Sequence, residues 1–361
     1  DMSNISRLTS LAAAGSGGAS YEIAYSSTAG DQLVSFSSGS ISQISTINNA
    51  STKVLTYSND GSYLITGSTS LSVYNSSVEG ALTAISSIAV NKQIISLDIN
   101  SAKTRIATGH QGDTSAPMRL FSFNGSSASQ IATRRTGTDW IGPATTFNPT
   151  GSKIYYGQVN QNGTSTIRAT TPDTLPPDTG TSPPYDIYTA QNIRDTGLVF
   201  NPVNSSQLAA AVWTSVTSQP NLYILNANGN PNTAGLVGIT IGSYNFSGNT
   251  AVNTNPNPIS WSPDGNYIAY VLGGDIILFD VTNRTAITLV DTFDISVETG
   301  VNAIPTGVDF SPDGLYLAVG CRNATIGLLV LDHTVAGSLS LSATYDDTGT
   351  VTSPKFKPFT P

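Results

Sequence analysis

Cysteine is almost absent. The chain has one, Cys321, in 361 residues, so no internal disulfide can form. Its place in the apolar run 317–321 is the usual setting of a buried, inert thiol. Histidine is nearly as scarce: His110, His333 and one thiol are too few for a zinc centre built from Cys and His, and each histidine is expected at the surface or in a turn. Charge is thin as well. Asp, Glu, Lys and Arg make up 11% of the chain, against about 25% in ordinary globular proteins. The net charge of −8 is spread without an acidic tail or a basic stripe, which argues against nucleic acid as a partner. No run approaches the ~20 apolar residues that span a bilayer, and the first residues lack the basic and apolar regions of a signal peptide.

Familiar chemical motifs are missing too. There is no Gly-x-Ser-x-Gly elbow paired with a plausible histidine. Residues 15–18 have the glycines of a phosphate loop, but no preceding strand and no Lys-Ser/Thr ending. Asp291, Asp294 and Glu298, and likewise Asp346 with Asp347, lack the spacing of a calcium loop and read as solvated loop acids. No cofactor, metal ligand or catalytic residue is therefore assigned. Paired carboxylates distant along the chain stay open, since spacing alone selects no pair.

What the chain does have is 39% hydrophobic residues, abundant Ser, Thr, Asn and Gly, and a repeat. Trp261-Ser262-Pro263-Asp264-Gly265-Asn266-Tyr267 and Phe310-Ser311-Pro312-Asp313-Gly314-Leu315-Tyr316 are its clearest copies. Tyr57-Ser58-Asn59-Asp60-Gly61-Ser62-Tyr63 and Phe147-Asn148-Pro149-Thr150-Gly151 are two more, with weaker copies starting at Ile99 and Phe200. The six anchors lie 42, 48, 53, 61 and 49 residues apart. In each, an apolar strand meets a tight turn where Pro fixes φ, Asp bonds back to the backbone and Gly takes a positive φ. A later apolar strand closes on Asn or Asp, as at Phe279-Asp280 and Leu331-Asp332, and there is room for one strand more. Each unit thus reads as four antiparallel strands, which is a propeller blade.

The Ser-Pro-Asp-Gly turns and the strand ending in Phe-Asp resemble the WD40 and WD40-like propellers over residues 21–361, although the Trp-Asp dipeptide is absent and Gly109-His110 is the single Gly-His. The resemblance implies an all-β, seven-bladed propeller of four-stranded antiparallel blades. Phe356 lies 46 residues after Phe310, where a seventh first strand is due, while residues 21–26, 32–37 and 41–47 read as three strands with no first strand before them. One C-terminal and three N-terminal strands would close the ring; a six-bladed ring with ragged ends is the alternative. Residues 1–20 form a separate segment, helical over 3–14 with Ile5, Leu8 and Leu11 on one face, then glycine-rich.

That opening resembles the start of some tailed-phage virion proteins, as does the charge-poor, Ser/Thr/Asn/Gly-rich body. The resemblance implies a non-enzymatic tail, fibre or capsid-surface component, docked to other virion subunits through Ile5, Leu8 and Leu11, with a host-surface glycan or protein as a further partner. Its place would be the virion. Packing of the helix on its own propeller, or disorder of the segment, is the bland alternative. A secreted or periplasmic interaction scaffold ranks second, and a lactone- or polysaccharide-cleaving propeller enzyme last. Partner-binding candidates are Trp140 before an anchor strand, Tyr185 in the proline-rich stretch 170–191, expected to be extended rather than folded, and Tyr244 and Phe246 in the insertion 241–258.

Overall fold

The computed structural model describes residues 19–48, 53–110, 118–134, 140–159, 164–172, 185–191, 193–214, 219–227, 240–245, 258–322, 325–347 and 349–359. In chain order the strands are β1 (Tyr21–Ser27), β2 (Asp31–Ser37), β3 (Ser40–Asn48), β4 (Val54–Tyr57), β5 (Tyr63–Gly67), β6 (Ser70–Asn75) and β7 (Thr83–Ala89). Then come β8 (Ile94–Ile99), β9 (Arg105–His110), β10 (Met118–Phe123), β11 (Ala128–Arg134), β12 (Trp140–Phe147), β13 (Ile154–Val159), β14 (Thr164–Thr170) and β15 (Tyr185–Gln191). The fifth and sixth blades hold β16 (Ile193–Asn201), β17 (Asn204–Thr214), β18 (Gln219–Asn226), β19 (Thr240–Asn245), β20 (Ile259–Trp261), β21 (Tyr267–Leu272), β22 (Asp275–Asp280) and β23 (Thr288–Asp294). After the helix α1 (Ile295–Thr299) follow β24 (Ile304–Phe310), β25 (Tyr316–Arg322), β26 (Leu328–Asp332), β27 (Ser340–Tyr345) and β28 (Val351–Phe356).

These strands make seven antiparallel four-stranded sheets, and the innermost strands β28, β4, β8, β12, β16, β20 and β24 touch one another in turn to close a ring. The chain is a seven-bladed β-propeller. Its core is not one mass but seven apolar clusters, each filling the gap between adjacent blades. Leu278 and Phe293 of the sixth blade meet Val308 and Leu317 of the seventh, for example, and Ile23 and Phe36 of the first meet Leu328 and Val330. The inner strands are buried on both faces, which is why β21 reads as a near-continuous apolar run, while outer strands such as β7, β23 and β27 stay largely exposed.

The anchor turns are built as their residues dictate. In the sixth blade Tyr267 N donates to Ser262 Oγ (2.8 Å), Ser262 Oγ donates to Asp264 Oδ1 (2.6 Å), and Asn266 N donates to the same oxygen (3.0 Å). Ser58 with Asp60 and Ser311 with Asp313 repeat the arrangement. In the fourth blade Asn148 replaces the serine and accepts from Lys153 N. The turn glycines Gly61, Gly151, Gly265 and Gly314 have φ of 68° to 76°, where a Cβ is disfavoured.

The ring closes as the repeat arithmetic anticipates. β28 pairs antiparallel with β1, Ile23 facing Phe356 and Ser27 facing Val351. The residues after β28 run on over the second blade: Lys357 N donates to Glu22 O, and Lys357 Nζ lies 3.3 Å from Glu22 Oε1 with both side chains nearly buried. Glu22 also accepts from Tyr57 Oη (3.1 Å) and Gly80 N (2.6 Å), so no charge is left without a partner there.

Several sequence expectations need correction. The helix expected over 3–14 lies outside the described residues; the one helix among them is α1, which follows the outer strand of the sixth blade. Asp294 caps it by accepting from Ser296 N and Val297 N, and Gly300 ends it with φ of 69°. Asp294 is therefore a cap rather than a solvated loop acid. Asp291 binds Leu339 N in the next blade, and Asp347 is buried, accepting from Tyr25 Oη, Ser27 Oγ and Gly349 N. Both histidines are buried rather than superficial: His110 shares a hydrogen bond with Thr108 Oγ1, and His333 packs between Tyr267 and Phe310 with Nδ1 on Gly314 O. Part of the stretch 170–191 is folded after all, as β15. Cys321 is fully buried, and burial pushes its thiol up to about 12, as suits an inert side chain.

A Cβ on Gly61 would stand 2.7 Å from Pro358 O, at a positive φ, whereas one on Gly274 would meet nothing within 4 Å. Gly61→Ala is expected to cost roughly 1–3 kcal/mol by adding backbone strain to a clash at the closing seam, and Gly274→Ala under about 0.5 kcal/mol. Urea denaturation of the two variants checks this; equal midpoints would mean that the tail does not pack on the second blade.

Candidate functional site

The seven inner strands end alike. Each places a large apolar residue (Tyr57, Ile99, Phe147, Phe200, Trp261, Phe310, Phe356) in a blade gap, and the residue before it on the strand faces the other way. Those preceding residues are Thr56, Asp98, Thr146, Val199, Ser260, Asp309 and Lys355, one per blade around the central channel. All but Ser260 keep partial solvent exposure while their apolar neighbours are buried. One level of the channel thus carries two carboxylates, one ammonium and three hydroxyls.

The two carboxylates are held in the same way. Asp98 Oδ2 accepts from Phe147 N (2.7 Å) and Thr146 Oγ1 (3.0 Å), the backbone and the equivalent side chain of the next blade. Asp309 accepts from Phe356 N at Oδ2 (2.9 Å) and from Lys355 Nζ at Oδ1 (2.9 Å), again the backbone and the equivalent side chain of the next blade. Ser260 does a smaller version of this job by accepting from Phe310 N (3.2 Å). Where the next blade offers threonine, the carboxylate gains hydrogen bonds and no counter-charge. Where it offers lysine, a partly buried ion pair forms, with side-chain exposures of 20% and 16%.

Electrostatics separates the two acids. Burial raises the Asp98 carboxyl to about 6; the hydrogen bonds from Phe147, Thr146 and Ile99, and the Lys355 charge within reach of it, only partly offset that. Burial likewise raises Asp309, and there the Lys355 ammonium is the first of several contacts that pull it back. One oxygen of Asp98, Oδ1, is engaged only by Ile99 N (2.8 Å) and has a lone pair left for a ligand. The channel therefore sets a carboxylate that gains and loses its proton near neutrality beside a fixed cation, the combination needed for general base catalysis with electrostatic stabilisation of an oxyanion.

The residues singled out from sequence lie elsewhere. Trp140 opens the inner strand β12, paired with Val159, rather than sitting in a connection. Tyr185 begins β15 and Tyr244 lies on β19, the outermost strands of their blades; the Tyr244 ring packs 5.0 Å from that of Phe279. Ile5, Leu8, Leu11 and Phe246 lie outside the described residues. None of the described ones joins the channel cluster. Asp98, Asp309 and Lys355 went unnoticed because they are 46 to 257 residues apart and ordinary in type; the signal that would have found them is their shared place one residue before each anchor's apolar residue. Among the described residues no three His, Cys, Asp or Glu gather closely enough to hold a metal ion.

The WD domain, G-beta repeat family matches residues 295–328, which run from α1 into the third strand of the seventh blade. No curated protein matches the sequence. Among solved structures, the chain is similar to the periplasmic gluconolactonase PpgL of Pseudomonas aeruginosa, with a TM-score of 0.72 and 12% identity over 94% of this chain and 99% of that one. It is similar also to candidate 6-phosphogluconolactonases from Bacteroides uniformis (TM-score 0.67, 18% identity, 93% and 99% covered) and Bacteroides fragilis (0.66, 16%, 93% and 98%). These likenesses, at such identities, are likenesses of fold. They correct the expectation of a non-enzymatic virion component: three propellers that this chain follows along nine-tenths of its length bear the names of enzymes.

The Asp98 carboxyl gives a pH signature. Its folded value of about 6 exceeds the ordinary 3.8, so between these limits the folded state holds a proton that the unfolded state has lost, and stability falls as pH rises through that window. Asp98→Asn has no such titration. Relative to the natural chain, its stability is expected to climb by roughly 2 kcal/mol between pH 4 and 6.5 and to level off above, whatever constant offset the substitution adds. Paired denaturation curves across that range check it; a difference that does not change with pH would mean an unshifted carboxyl.

Proposed function

We propose that this chain is a hydrolase of sugar lactones, working in the periplasm or outside the cell, with Asp98, Lys355 and Asp309 as its active centre in the channel. The observation that carries this reading is the placement, at one level of the ring, of a carboxylate with no salt-bridge partner among the described residues within electrostatic reach of an ammonium that has one. The likeness to gluconolactonase and candidate 6-phosphogluconolactonase propellers supports the reaction class, and the periplasmic gluconolactonase supports the compartment. No helix among the described residues is long and apolar enough to cross a membrane.

The chemistry follows from the two groups. Above pH 6 the Asp98 carboxylate removes a proton from water as the water oxygen attacks the lactone carbonyl carbon, and the carbonyl oxygen becomes an oxyanion. Lys355 Nζ, fixed on Asp309, donates to that oxyanion. The tetrahedral intermediate collapses by breaking the ring C–O bond, and the leaving alkoxide takes the proton from the Asp98 carboxyl, which restores the carboxylate. One water is consumed and one hydroxy acid is formed.

The test is hydrolysis of glucono-δ-lactone and of related five- and six-membered sugar lactones, followed by proton release and corrected for spontaneous opening. The natural chain is expected to turn over at least one of them, at a rate that rises with pH through about 6. Asp98→Asn is expected to lose on the order of 10²–10⁴-fold in kcat. Failure to exceed the spontaneous rate with every lactone, or full activity in Asp98→Asn, would overturn the reading.

A further inference from the structure

We infer that Asp309 is the positioning residue of this centre: it holds the Lys355 ammonium in the one orientation that serves the oxyanion, and does so through a different oxygen from the one that accepts the next blade's backbone N–H. The inference rests on the lactone-hydrolase reading for its kinetic consequence, but not for its geometry.

The comparison with Asp98 separates the two duties. Both acids tie their blade to the next by accepting the backbone N–H of the apolar anchor residue, Phe147 for one and Phe356 for the other. At Asp98 the same oxygen also takes the neighbouring hydroxyl, so one oxygen does all the joining. At Asp309, Oδ2 alone takes the backbone N–H, while Oδ1 holds Lys355 at 2.9 Å and also accepts from Ser260 Oγ of the previous blade at 3.5 Å. A lysine has four rotatable side-chain bonds and loses much rotamer freedom when fixed, so without a counter-charge Nζ would sweep the channel. The partner strand adds a second restraint: Lys355 stands opposite Ala24 on β1, and its backbone cannot shift without opening the closing pair. Ammonium and carboxylate keep one-fifth or less of their side-chain surface exposed, enough for Nζ to reach a channel ligand while its direction stays set.

Asp309 acts only through Lys355 on this account, and that yields a test by coupling. Asp309→Asn is expected to lower kcat on the order of 10- to 100-fold with KM unchanged. Lys355→Met is expected to lower it by 10²–10³-fold. The double variant should fall no further than Lys355→Met alone. A second readout needs no turnover: with its carboxylate partner gone, the Lys355 amine in Asp309→Asn should acylate with acetic anhydride several-fold faster than in the natural chain, measured by mass spectrometry against the exposed Lys92. Should Asp309→Asn fail to fold, Ser260→Ala, which removes the steadying hydroxyl together with its hydrogen bond from Phe310 N, should shift both readouts in the same direction by a smaller factor. Additive losses in the double variant, a change confined to KM, or an unaltered Lys355 labelling rate would each overturn the inference. Failure of the lactone-hydrolase reading would look different: no turnover in the natural chain, or full activity in Asp98→Asn, with the labelling contrast at Lys355 intact.

Discussion

The structure depends on the pairing of β28 with β1. Six blades are made from consecutive strands, but the first blade exists only when the last strand returns to the first. Without that return the first and seventh blades would expose sheet edges and the apolar faces of Tyr21, Ile23, Leu328 and Val330 to water. The closing strand is accordingly held from both flanks. Thr306 Oγ1 donates to Val351 O from the seventh blade, Leu55 N donates to Ser353 Oγ from the second, and the Tyr21 ring packs against those of Phe356 and Tyr316. The buried Lys357–Glu22 pair adds specificity more than energy, since its desolvation offsets much of its attraction.

Closure also decides where chemistry can sit. A seven-fold pseudo-repeat brings one residue per blade to each level of the channel, and the physics of the blades constrains that position only loosely: it must not fill the gap, and it does well to accept the next blade's N–H. Aspartate and serine accept that N–H in three blades, and threonine and valine occupy the position in three others. The lysine of the closing strand is the departure, because it brings a positive charge to the position. A position with few packing duties, repeated seven times around a narrow space, is a place where charges can gather, and here they number two acids and one base.

The blades were legible because they rest on local rules. Pro, Asp and Gly in a tight turn announce themselves in nine residues, and the serine that accepts from the amide five positions on does so identically at Ser58, Ser262 and Ser311. Ring closure was legible too, because a missing first strand at one end and a spare one at the other favour a seventh blade shared between the two ends over a six-bladed ring. α1 was not, since five residues carry no helical period and only the Asp294 cap and Gly300 mark it. The burial of His110 and His333 went unforeseen for a related reason: each sits beside a strand terminus, at His110 on β9 and just after β26, where neighbouring polarity suggests a turn although adjacent blades cover it.

The channel cluster was hidden by its own ordinariness. A motif search asks for unusual residues close in sequence, and Asp98, Asp309 and Lys355 are common residues far apart. They become a constellation only once the ring superimposes seven equivalent positions, and they differ in function only because of what the next blade supplies. Asp98 meets a threonine and keeps a carboxyl raised by burial, poised to exchange its proton; Asp309 meets a lysine and holds a charge in place. The same geometry, read at two of its seven stations, separates a proton acceptor from a cation holder, so the division of labour lies in the side chain that follows rather than in the acid itself.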